Sequence, residues 1–128
     1  VEFVIQPCPG LADQVEKGAL DSEETRALVK RYVRPVIDKG ADIVVLGCTH
    51  YPFLRPIIED VAGPAVEIID PATAVAREVR RRLDNAHMLN NETTPGTEQF
   101  WTTGQVEVVQ AIVRQLWGTT AEVAGGLR

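Results

Sequence analysis

The sequence lacks any apolar run long enough to cross a bilayer. Its longest, Ile43 to Leu46, is a small fraction of the roughly 20 residues a spanning helix needs. No basic-then-apolar leader opens it. An excess of positive charge is also missing. With 13 Lys and Arg against 18 Asp and Glu, the net charge is −5, which argues against a nucleic-acid or anionic-membrane partner. The one basic cluster, Arg77 with Arg80, Arg81 and Arg82, reads as a solvated helix face. Cysteine is scarce. Cys8 and Cys48 form no CxxC pair and no repeated Cys/His spacing, so neither a disulfide scaffold nor a zinc site is indicated and a reducing cytoplasm is expected. There is no internal repeat. There is no initial methionine either, and Val1 to Ile5 already read as a strand, so the chain is expected to be truncated, with a processed start as the alternative.

What is present is the composition of a globular domain, 45% apolar and 24% charged. After the first strand, Leu11, Val15 and Ala19 fall at helical spacing. Asp21 is a plausible N-cap with Glu24 as its capping-box partner, and Leu28, Val29, Tyr32, Val33, Val36 and Ile37 form one helical face. Pro35 should kink the last turn of that helix, and Gly40 should end it. Ile43 to Leu46 reads as a strand buried on both faces of a parallel sheet. A helix marked by Phe53, Leu54, Ile57, Ile58 and Val61 follows, then a strand over Val66 to Ile69. Asp70 and Pro71 should cap a helix with Ala72, Val75, Ala76, Val79 and Leu83 on its inner face. Asn90, Asn91, Thr93, Thr94, Pro95 and Gly96 mark a loop. Gln99 to Thr102 reads as a strand in a separate sheet, Val109, Ile112, Val113 and Leu116 as a last helix, and the tail with Gly125 and Gly126 as frayed. Alternating strands and helices predict an α/β fold, a parallel sheet with flanking helices. Glu2–Ile5, Ile43–Leu46 and Val66–Ile69 are expected as parallel neighbours in one sheet.

The turn from Gly47 to Pro52 carries the chemistry. In open α/β sheets, ligands bind beyond the carboxyl ends of the strands, where Cys48, Thr49 and His50 fall. Gly47 lets the chain turn without a Cβ in the way. The helix N-terminus that follows should favour a carboxylate and a thiolate. Thr49 adds a hydroxyl donor, and His50 exchanges protons near neutral pH. The set suits proton transfer at a carbon beside a carboxylate. On composition alone Cys48 could equally be a small buried hydrophobe and His50 a cap. Cys8, between two prolines with no base beside it, reads as structural. No ligand spacing supports a metal on Cys8, Cys48 and His50.

Val45-Leu-Gly-Cys-Thr-His-Tyr-Pro-Phe-Leu54 closely resembles the second signature of the aspartate/glutamate racemase family, in the form typical of glutamate racemases. Cys8-Pro9, Val15-Glu16 with Gly18, Tyr32 with Pro35, Ile69-Asp70 and Phe100 to Gly104 add supporting similarity. The resemblance covers nearly the whole chain, but only the later part of a family member. It implies a truncated form of a pseudo-symmetric two-domain fold. Residues 1–70 would belong to the second racemase domain. Residues 71–128 would hold the rest of that domain's helix and a return into a mostly missing first domain. It implies racemisation of glutamate by two thiols on opposite faces of the α-carbon, without pyridoxal phosphate, metal or other cofactor, supplying D-glutamate for peptidoglycan. Cys48 would be one thiol, His50 its helper in proton transfer, Thr49 the ligand of the substrate carboxylate, and Glu16 a carboxylate near the substrate. The Asn-Thr segment bearing the other thiol is absent, so the partner implied is the missing N-terminal half and the chain alone should be inactive. The resemblance leaves a homodimer open. Two other readings are an aspartate- or hydantoin-type racemase, disfavoured by His50 after Cys-Thr, and a non-catalytic α/β module that binds a carboxylate at the Gly47 turn.

Overall fold

A computed structural model describes residues 2–90 and 94–126. Val1 of the expected first strand, Asn91 and Thr93 of the expected loop, and the last two residues of the tail lie outside the described residues. The chain divides into two compact units, Val1–Asn85 and Ala86–Arg128.

The first unit contains α1 (Leu11–Glu16), α2 (Glu23–Ile37), β1 (Ile43–Val45), a 3₁₀ turn (Tyr51–Leu54), α3 (Arg55–Ala62), β2 (Glu67–Ile69) and α4 (Ala72–Asn85). β1 and β2 are parallel, with Val44 opposite Ile68, as the βαβ pattern requires. Leu46 N–H donates to Ile69 O, and Glu67 N–H to Asp42 O, extending the ladder at both ends. α1, α2 and α3 bring the core together, with Val15, Val29 and Leu54 fully buried and Ile58 and Ile68 nearly so.

The first unit differs from the sequence expectation in four respects. Glu2–Ile5 forms no strand. Its alternation suits a pleat, but a strand exists only through a ladder, and no backbone hydrogen bond among the described residues involves 2–5; Phe3 and Ile5 are about nine-tenths exposed. The parallel sheet of this unit therefore has two strands, not three. β1 is covered on one face only. Leu46 and Ile68 are buried, whereas Ile43, Val45 and Ile69 are exposed. α4 has the expected cap, with Ala72 N–H donating to Asp70 Oδ1 at 2.9 Å, but its apolar face is uncovered, and Val75 and Val79 are more than half exposed. Finally, Ser22 caps α2 in place of Asp21. Ser22 is extended, and its Oγ accepts from Thr25 N–H at 3.1 Å; burial of Thr25 fixes that register, and Asp21 pairs with Arg26 instead. Pro35 lies inside α2, which continues past it to Ile37.

The second unit contains β3 (Phe100–Thr102), α5 (Val106–Leu116) and β4 (Val123–Gly125). β3 and β4 are parallel, in a sheet separate from β1 and β2. Residues 123–125 of the tail, expected to fray, thus form a strand. Gln110 holds it, donating to Ala121 O at 2.6 Å and accepting from Val123 N–H at 2.8 Å. Gly125 is required there, because a Cβ would lie 2.9 Å from Val106 Cγ2. Phe100 and Trp117 meet edge to face at 5.6 Å. α5 buries none of its residues. Trp101, Val108 and Trp117 are exposed, while Val109 and Leu116 are half-buried. No helix among the described residues is long and apolar enough to cross a membrane.

Candidate active site

β1 ends at Val45, and the chain turns at once through Gly47, Cys48, Thr49 and His50, at the carboxyl edge of the sheet. Gly47 has no left-handed backbone, and a Cβ there would meet no atom within 4 Å. The turn itself therefore does not demand glycine; the space a side chain would take belongs to the adjoining cleft, which Gly47 lines. The α-helix expected directly after the turn is delayed to Arg55. Pro52 and Pro56 lack N–H groups, and Tyr51 and Phe53 N–H close 3₁₀ bonds on Cys48 O and His50 O. The donors assigned to a helix N-terminus here are thus partly engaged in tightening the turn.

A cleft of about 480 Å³ opens beside this turn. Leu46, Gly47, Cys48, Thr49 and Pro52 form one wall, and Asp70 with the first turns of α4, through Ala76, forms the other. The walls are mainly apolar, with Cys48, Thr49 and Asp70 supplying the polar side chains. Behind Cys48 runs a short relay. Cys48 Sγ lies 3.4 Å from His50 Nδ1, and His50 Nε2 lies 2.9 Å from Glu16 Oε1. A thiol, an imidazole and a carboxylate in series hold the ring in one orientation and link the sulfur to a group that can take or supply its proton.

Cys48 and Thr49 therefore share one wall of the cleft, and His50 contacts Cys48 from outside that lining. Glu16 joins them from α1, bonded to His50, and is not among the residues lining the cleft. Cys8 is half-buried, its thiol 3.3 Å from Gln6 O. Burial pushes its pKa up, a hydrogen bond with Tyr51 offsets part of that rise, and Cys48 lies close enough to add to it. Tyr51 is pushed up in the same way, by burial first and then by the two cysteines. Tyr51 was not singled out in the sequence, although it directly follows His50. Iodoacetamide should accordingly modify Cys8 slowly at neutral pH. Its alkylation, followed by peptide mass mapping, should accelerate only as the pH rises beyond the ordinary thiol range; rapid labelling of Cys8 at neutral pH would contradict this placement.

Comparison with known proteins bears on this geometry. The Asp/Glu/Hydantoin racemase family model matches residues 5–79. The glutamate racemase of Methylococcus capsulatus is 50% identical over 117 residues, which is 91% of this chain and 43% of that protein. A glutamate racemase isoform from Bacillus anthracis superposes with a TM-score of 0.82 at 31% identity, over 95% of this chain and 46% of that one. The Thermus thermophilus glutamate racemase, solved in complex with β-chloro-D-alanine, gives a TM-score of 0.76 at 31% identity, over 94% of this chain and 46% of that one. The chain thus spans less than half the length of the proteins it matches.

Proposed function

The chain belongs to the Asp/Glu/Hydantoin racemase family, and we propose that it forms the C-terminal part of a cofactor-independent glutamate racemase. The observation that carries this is the Cys48–His50–Glu16 relay behind a cleft at the carboxyl end of β1. The high identity to a glutamate racemase supports glutamate over aspartate or a hydantoin as substrate. Thr49, on the cleft wall, donates a hydrogen bond to the substrate carboxylate. Cys48, as thiolate, takes the α-proton on one face, and the electron pair left on the α-carbon delocalises into that carboxylate. A second thiol delivers a proton to the opposite face. In the reverse direction Cys48 is the donor. His50 exchanges the proton with Cys48 between turnovers, and Glu16 holds His50.

The second thiol and the other half of the cleft come from an upstream first domain. The apolar surfaces left open here fit that assignment. Ile43, Val45, Val75 and Val79 in one unit, and Trp101, Val108 and Trp117 in the other, are exposed, and such patches mark partner surfaces. Residues 71–128 are read as the closing helix of the second domain followed by a return to the first. The assembled protein acts in the cytoplasm and supplies D-glutamate for peptidoglycan; it uses no metal or organic cofactor.

The completed enzyme, meaning this chain preceded by its first domain or by that of the Methylococcus capsulatus relative, should carry either enantiomer of glutamate to an optically inactive mixture, followed by circular dichroism. Aspartate and hydantoins should turn over far more slowly. Preference for either of them, or carboxylate binding without turnover, would overturn the assignment.

A further inference from the structure

From the way α1 is held, we propose that Thr25 and Tyr32 of α2 are positioning residues for the acid/base machinery, acting through Glu16. The inference rests on the function proposed above. α1 has only six residues, too few to persist as a helix without tertiary support. Leu11, Gln14 and Val15 are buried, and α1 packs against both α2, where Val29 is fully buried, and the Tyr51–Leu54 turn. Apolar packing of this kind is non-directional; hydrogen bonds add a directional restraint on how far α1 rolls about its axis.

Two hydroxyls supply that restraint, one at each end. Tyr32 OH donates to Pro9 O at 2.9 Å, immediately before Gly10, which starts α1 in a left-handed conformation at φ 82°. Thr25 Oγ1 donates to Ala19 O at 2.6 Å, just beyond the last turn of α1. Thr25 and Tyr32 are seven residues apart, hence on the same face of α2, about 10 Å from each other along its axis. The Thr25 end of α2 meets the end of α1, and the Tyr32 position meets its beginning, so the helices run in opposite senses with a tie at each end. Both side chains are buried, where a hydrogen bond is best protected from exchange with water. Gln14 adds a third polar group to the same seam, 3.5 Å from Thr25 Oγ1.

Glu16 lies beside buried Val15 but is itself largely exposed, 66% by side chain, and its carboxylate is bonded to His50 Nε2. Its position follows from the roll of α1, so the hydroxyls of Thr25 and Tyr32 set the relay that ends on the Cys48 sulfur.

The test is a double-mutant cycle in the completed enzyme. Tyr32→Phe removes one hydroxyl and keeps the ring, and Thr25→Val keeps the shape of the side chain. Each should lower kcat for glutamate by roughly tenfold, the scale expected for a small misplacement of an acid/base group, while KM changes by less than about twofold because neither residue reaches the cleft. Thr25→Ser should keep most of the activity. In a Glu16→Gln background the same substitutions should have almost no further effect on kcat, since groups acting through one another are not additive. A merely structural role would lower activity equally in both backgrounds. Unchanged kcat in Tyr32→Phe and Thr25→Val, or an equal loss with and without Glu16, would overturn the inference while leaving the racemase assignment intact. Failure of the completed wild-type enzyme to racemise glutamate is the distinct result that would remove the assignment itself.

Discussion

Replacing Cys48 by alanine in the completed enzyme should lower glutamate racemisation in both directions by about a thousandfold or more, toward the upper end of what a positioned acid/base contributes. The loss is bidirectional because Cys48 is the base for one enantiomer and the acid for the other. Its neighbour His50, at 3.4 Å, cannot substitute: its Nε2 is engaged by Glu16, and its ring is absent from the cleft wall that Cys48 helps to form. His50→Asn and Glu16→Gln should each cost less than Cys48→Ala, since they leave the sulfur in place. Combining either with Cys48→Ala should add little, because residues that act as one unit give non-additive losses. Racemisation in the Cys48→Ala enzyme at a substantial fraction of the wild-type rate would remove Cys48 from the mechanism.

The 128-residue chain by itself is expected neither to racemise glutamate nor to exchange its α-proton with solvent. An α-proton is removed only when the carboxylate is held, the amino group is placed and the developing carbanion meets preorganised donors; orientation alone accounts for roughly 7–11 kcal/mol of barrier lowering in well-placed systems. This chain offers Cys48 and Thr49 on one wall of an open, mainly apolar cleft. No second thiol faces Cys48 across it: the other cysteine, Cys8, is linked to Tyr51 and does not line the cleft. The measurement is proton NMR of glutamate incubated with the chain in deuterated buffer. Loss of the α-proton signal above the uncatalysed rate would show that one wall is enough.

What could be read from the sequence was what depends on neighbours along the chain. The motif from Val45 to Leu54 is local, so its three polar side chains could be placed at the end of a strand, and β1 with β2 form the parallel pair that the alternation of strand and helix required. Features that depend on distant partners were less accessible. Glu16 and His50 are 34 residues apart and meet through tertiary packing, with α1 seated on both α2 and the Tyr51–Leu54 turn. The Cys8–Tyr51 contact spans more than 40 residues. Glu2–Ile5 has the pattern of a strand, but no ladder forms among the described residues. The apolar stripe of α4 reads as an inner face, yet Val75 and Val79 are open to solvent. Periodicity reports which face of an element is apolar, not whether anything covers it. Two differences are finer. Asp21 and Ser22 are both good caps, and only the burial of Thr25 decides between them. The two glycines of the tail suggest fraying, whereas Gly125 is there because α5 approaches too closely for a Cβ.

The central claim is that Cys48 is one of two acid/base groups working on opposite faces of the α-carbon. It is tested most directly by a time course of one glutamate enantiomer with the completed enzyme in deuterated water, with substrate and product separated by chirality before mass analysis. A thiol on each face predicts that the first product formed carries solvent deuterium at the α-carbon, while the remaining substrate still carries its original proton. Early product that retains the substrate's own proton, or deuterium entering substrate and product alike from the start, would contradict it.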